Sequence, residues 1–173
     1  MSTTNIYKIK SNGDIVLYDE VPNSWRGAMH IWGTLTDAYN FNDTLLTGFK
    51  SIFYLFNHDH EKLKDWEWIT LGTTCDRVYV QKKDFEKVID AFYKYDSHYP
   101  NSNLKQQAHA IEKLKNDPNC IGVACAQTSV CDDIWQYDWI ENDDDTETLI
   151  PYNIFKGEEH WDLFKKLTKL KEG

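Results

Sequence analysis

The chain has 173 residues, 28 acidic against 19 basic side chains, and a formal net charge of -9. That length suits a single globular domain over residues 1–173, able to bury roughly two-thirds of its unfolded surface without a metal or disulfide staple. Hydrophobic residues at 41% and aromatics at 14% exclude a disordered chain, and the composition also excludes collagen, a coiled coil, a disulfide-dense mini-protein and a polytopic membrane protein.

The charge balance argues against direct nucleic-acid binding, which draws most of its affinity from neutralising phosphates. Only two arginines are present, Arg26 and Arg77, beside 17 lysines. The lysine-rich, arginine-poor usage suits an AT-rich genome, bacterial or phage. The polar residues 1–5 carry no targeting signal, and the longest apolar stretch, near residues 49–56, is too short to span a bilayer. The expected setting is therefore cytoplasmic, with Cys75, Cys120, Cys125 and Cys131 reduced.

The first predicted element is a β-hairpin. Residues 6–10 and 14–18 flank Asn12-Gly13, a type I′ turn pair that sets Ile9 opposite Val16 and Tyr7 opposite Tyr18. Pro22 breaks the strand, and Asn23 or Ser24 caps a helix with Trp25, Ala28, Met29, Trp32, Leu35 and Tyr39 at helical spacing. Gly27 and Gly33 weaken that helix and are read as permitting close packing. A second helix over residues 44–57 is apolar on more than one side.

Residues 68–71 and 77–80 read as strands across a turn at 72–76. Asp84 caps an amphipathic helix with Phe85, Val88, Ile89 and Phe92 inward, and Leu104, Ala108, Ile111 and Leu114 define the next. Residues 121–126 form a short apolar run suited to a buried strand. The stretch 77–126 then reads as a β-α-α-β crossover with parallel strands. Residues 134–140 alternate as a strand, 141–148 form an acidic turn, and Glu158 or Glu159 opens a last helix with Trp161, Phe164, Leu167 and Leu170 inward. The expected class is α+β, with an N-terminal β-hairpin, about five helices and a mixed sheet of about five to six strands.

Motifs of common enzymes are absent: no phosphate loop, serine elbow, zincin helix or dinucleotide fingerprint occurs. No catalytic residue and no cofactor is assigned. His58 and His60 form the one candidate metal pair, because on a strand their imidazoles share a face, whereas on a helix they diverge. Cys75 lies in a small polar turn without an adjacent histidine to activate it. Polar residues Gln127, Ser129, Asp132 and Asp133 follow the buried strand, where side chains often line a cleft. Beyond them Trp135, Tyr137 and Trp139 alternate beside Asp143, Asp144 and Asp145, which reads as aromatic anchors with an acidic steering rim.

The resulting expectation is a small acidic protein-interaction module, of inhibitor or immunity type, that binds a partner protein with a basic surface. The alternatives are a small metal- or thiol-dependent hydrolase and a sugar- or nucleotide-binding domain.

Overall fold

The computed structural model describes residues 3–23, 27–40, 52–127, 135 and 137–173, with the backbone alone for residues 127, 137–140 and 149. Five strands form one mixed sheet in the order β2-β1-β4-β3-β7: β1 (Thr3–Lys10), β2 (Ile15–Pro22), β3 (Val78–Gln81), β4 (Cys120–Gln127) and β7 (Trp161–Asp162). Strands β5 (Tyr137–Glu141) and β6 (Glu147–Pro151) pair with each other in a separate antiparallel ribbon. Six helices lie among the described residues: α1 (Ala28–Ala38), α2 (Ile52–His58), α3 (Asp65–Gly72), α4 (Phe85–His98), α5 (Leu104–Leu114) and α6 (Leu163–Glu172). The α+β class is thus observed.

Alternation along the central strands divides the molecule into two cores. Ile6, Val78, Val80, Val123 and Cys125 face the helices, which supply Leu35, Leu55, Leu71, Phe92, Ile111 and Leu163 to the larger core. In α4 the buried Phe85, Val88, Ile89, Phe92 and Tyr95 recur every three or four residues, the period of one helical face. The opposite face of the sheet carries Tyr7, Ile9, Ala124 and Ala126, covered by Trp135, Tyr152 and Ile154. Small alanines on the central strand make room for those large rings.

Several expectations change. The β1–β2 hairpin forms, but its loop is Ser11-Asn12-Gly13 rather than a two-residue turn. The Gly13 amide donates to the Lys10 carbonyl at 2.9 Å and the Lys10 amide to the Asp14 carbonyl at 2.8 Å. Gly13 supplies the left-handed residue (φ 88°) of a type I turn with a bulge. The register therefore moves by one residue, to Ile9 opposite Ile15 and Tyr7 opposite Leu17. Asn23 does not cap α1. It is buried, and its side-chain oxygen accepts from Thr4 at 2.7 Å and Asn103 at 2.8 Å.

Residues 68–71 are helical, inside α3. A short apolar run has no decisive period, and here the Glu67 carboxylate accepting the Lys64 amide at 2.8 Å closes the first turn. Strands β3 and β4 are antiparallel, not parallel. Two successive helices return the chain to the end of the sheet from which it left, so the second strand must run backwards. The last helix begins at Leu163, where the Asp162 side chain accepts the Lys165 amide at 3.1 Å, while Trp161 belongs to β7. Asp84 sits at the start of α4 but binds Lys87 at 2.7 Å instead of capping it. No described helix is long and apolar enough to cross a membrane.

Candidate functional site

Net charge is distributed very unevenly along the chain. Residues 132–159 hold ten acidic side chains and one basic, and the rest of the sequence holds eighteen of each. The formal -9 therefore belongs to one segment, and the β5–β6 ribbon is its centre. Its loop repeats the first hairpin: the Asn142 amide donates to the Thr146 carbonyl at 2.8 Å, and the Asp145 amide to the Asn142 carbonyl at 3.2 Å. Asp145 takes the left-handed position (φ 60°) that Gly13 fills in the other loop. Aspartate tolerates that conformation better than most residues.

Glu141, Asp143, Asp144, Asp145 and Glu147 are all exposed around this loop. Glu141 and Glu147 are direct cross-strand partners, an arrangement that costs stability because like charges face each other. None of the five makes an ion pair with a described residue. The Asp144 carboxylate accepts from the Thr146 hydroxyl at 2.5 Å and amide at 3.2 Å, which holds its pKa below the ordinary value. The loop is ordered by its own hydrogen bonds while its charges stay uncompensated.

Trp135 is not an exposed anchor. It is fully buried, its indole N–H donates to the Cys125 carbonyl at 3.0 Å, and its ring meets Tyr152 edge to face at 5.6 Å. It lies in a turn before β5, not on the strand expected over residues 134–140, and it covers the second sheet face. Tyr137 and Trp139 lie in β5, where the register sets them opposite Pro151 and Leu149. Gln127 ends β4 opposite Thr4. Ser129, Asp132 and Asp133 lie outside the described residues.

The two histidines rest on different rings. His58, at the end of α2, lies against Tyr54 with ring centroids 4.7 Å apart, and His60 stacks on Trp68 at 4.3 Å. No group of three or more metal-ligating side chains occurs among the described residues. Burial pushes the thiols of Cys75 and Cys125 up to about 12, with Asp76 adding to the effect at Cys75. Both stay protonated at neutral pH and are poor nucleophiles.

No family model, curated protein or solved structure matches this chain. Its functional reading rests on its own residues and geometry.

One feature of the second sheet face escaped the sequence reading. A cleft of about 230 Å³ lies between the sheet and the segment after β6, lined by Ile9, Tyr79, Gln81, Ile121, Gly122, Ile154, Phe155 and His160. The β1–β4 register skips Ile121, and this bulge turns its side chain towards the cleft. His160 shares a 2.7 Å hydrogen bond with the Tyr152 hydroxyl. The Arg77 guanidinium lies 4.5 Å over the Tyr152 ring. Burial, then the charge of Arg77, hold the His160 pKa below its ordinary value. The only sequence signals were the period-two placement of Tyr79 and Gln81 and a phenylalanine in a polar stretch.

Proposed function

We propose that the protein is an interaction module of inhibitor or immunity type that presents its acidic 132–159 segment to a partner protein with a basic surface. The observation that carries this reading is the β5–β6 loop: five exposed carboxylates, two of them directly opposed, with no cation among the described residues to neutralise them. Such an arrangement weakens the free protein and is relieved by a basic partner. It also speeds encounter, since a concentrated charge steers an oppositely charged surface. The same field repels phosphates, which supports a protein partner over nucleic acid.

The test is capture from a lysate of the cells that make the protein. Three immobilised forms are compared at low and high salt. They are the wild type, a loop variant (Asp143→Asn, Asp144→Asn, Asp145→Asn, Glu147→Gln), and a control neutralising Asp19, Glu20, Glu86 and Asp90. The expected result is a basic protein retained at low salt by the wild type and the control and lost from the loop variant. Equal retention by all three would remove the loop from the account.

A further inference from the structure

The second sheet face ends in an unfilled space. Trp135 and Tyr152 cover the part over Ala124 and Ala126, while the cleft opens beside Gly122. Three rings stand around it, those of Tyr79, His160 and Phe155, with three isoleucines between them. Tyr79 and His160 meet edge to face at 5.6 Å. Phe155 is 65% exposed although it lines the cleft. Its ring abuts Gly13, where an added Cβ would lie 2.5 Å from it. An exposed aromatic held against a turn at the mouth of a cleft is a ready stacking surface.

The polar lining is sparse and oriented. Gln81 donates to the Asp162 carboxylate, which fixes the direction of its carboxamide. His160 is held through Nδ1 by Tyr152, and no described residue bonds its Nε2. No carboxylate, lysine or arginine lines the cleft, and burial, then the charge of Arg77, disfavours the charged form of His160. A charged ligand would lose its water there without gaining a counter-ion. A sugar would bring more hydroxyls than Tyr79, Gln81 and His160 can satisfy, the last two being already bonded to Asp162 and Tyr152. A plain hydrocarbon ring would desolvate the polar edges of Gln81 and His160 without bonding the His160 Nε2 that no described residue holds. The volume lies below the roughly 300–1,000 Å³ of clefts that hold drug-sized molecules, so the occupant is one ring system.

We propose that this cleft binds a neutral, planar heteroaromatic ring of the nucleobase class, stacked against Phe155 and Tyr79 with its polar edge on Gln81 and His160. The site is independent of the acidic loop, and either assignment stands if the other fails.

The test is an NMR titration of the ¹⁵N-labelled protein, following the Gln81 side-chain amide and the backbone amides of Ile121 and Gly122. The probes are adenosine, AMP and N-acetyltryptophanamide. Adenosine is expected to shift these signals saturably, with half-saturation on the order of 0.1–1 mM. AMP is expected to bind more weakly, because no lysine or arginine lines the cleft to pair with its phosphate. Phe155→Ala should weaken adenosine about fivefold or more while leaving Tm nearly unchanged, because the lost ring is mostly in water. The proposal is overturned by the absence of saturable shifts, by AMP binding as well as adenosine, or by an unchanged affinity in Phe155→Ala. Tighter binding of N-acetyltryptophanamide than of adenosine would also overturn it, since the cleft would then take a peptide side chain.

Discussion

Glu67 is fully buried, and its carboxylate accepts hydrogen bonds from Tyr39, from Tyr99 at 2.7 Å and from the Lys64 amide at 2.8 Å. Through it the ends of α1 and α4 are tied to the start of α3. No ion pair with a described residue offsets its burial, so the three donors are what make the charge tolerable. Glu67→Ala is expected to cost about 3 kcal/mol in urea unfolding, and Tyr99→Phe about 1–2 kcal/mol. Burial, then the bond to Glu67, raise the pKa of both tyrosines above the ordinary 10.0. A raised folded-state value gives stability that is complete below the unfolded pKa and lost above it. Stability should therefore fall as pH rises past 10, and the Tyr39→Phe/Tyr99→Phe double variant should show a smaller fall. The three described thiols, Cys75, Cys120 and Cys125, are all shifted upward by burial. Native protein at neutral pH should take up iodoacetamide at these sites only slowly, whereas unfolded protein reacts at once, as peptide mass mapping can show. The Glu67 cluster was invisible in the sequence because its tyrosines stand 28 and 32 residues away from it.

At the scale of elements, the two hairpins share one loop geometry with different residues at its left-handed position. Gly13 needs both its conformation and its lack of a side chain, since a Cβ would lie 2.5 Å from the Asn153 Oδ1 and from the Phe155 ring. Gly33, by contrast, has nothing within 4 Å of an added Cβ, which corrects the expectation that it permits close packing. Gly13→Ala should therefore destabilise by more than about 1 kcal/mol, and Gly33→Ala should stabilise by about 0.5–1 kcal/mol, both readable in denaturant midpoints. Periodicity located most elements: α4, α5, β3, β4 and the first hairpin all lie where the pattern put them. Failures came where local pattern is silent. Residues 68–71 are too few to distinguish a strand from a helix turn. The direction of β4 depends on how α4 and α5 pack, which no short window contains. The hairpin register turned on a single loop residue, and shifting it by one exchanged the paired residues of β2.

On the scale of the whole molecule, burial and charge separate into two surfaces with different chemistry. One is the acidic ribbon, legible in the sequence as a run of carboxylates but not as a hairpin whose charges go unpaired. The other is the neutral cleft, which forms only when β1, β3, β4 and the segment after β6 meet. The tryptophan at position 135 shows the limit of pattern reading: the alternating run puts it on a strand with Tyr137 and Trp139, whereas it lies in a turn before β5 and packs into the second core. The central claim is that the 132–159 segment binds through its charge. Once a partner is captured, its affinity for purified wild-type protein and for the Asp143→Asn/Asp144→Asn/Asp145→Asn/Glu147→Gln variant should be measured across a salt series. Wild-type affinity is expected to fall about tenfold or more between roughly 50 and 500 mM salt, with the variant weaker at low salt and nearly flat across the series. Equal affinities with the same salt dependence in both proteins would contradict it.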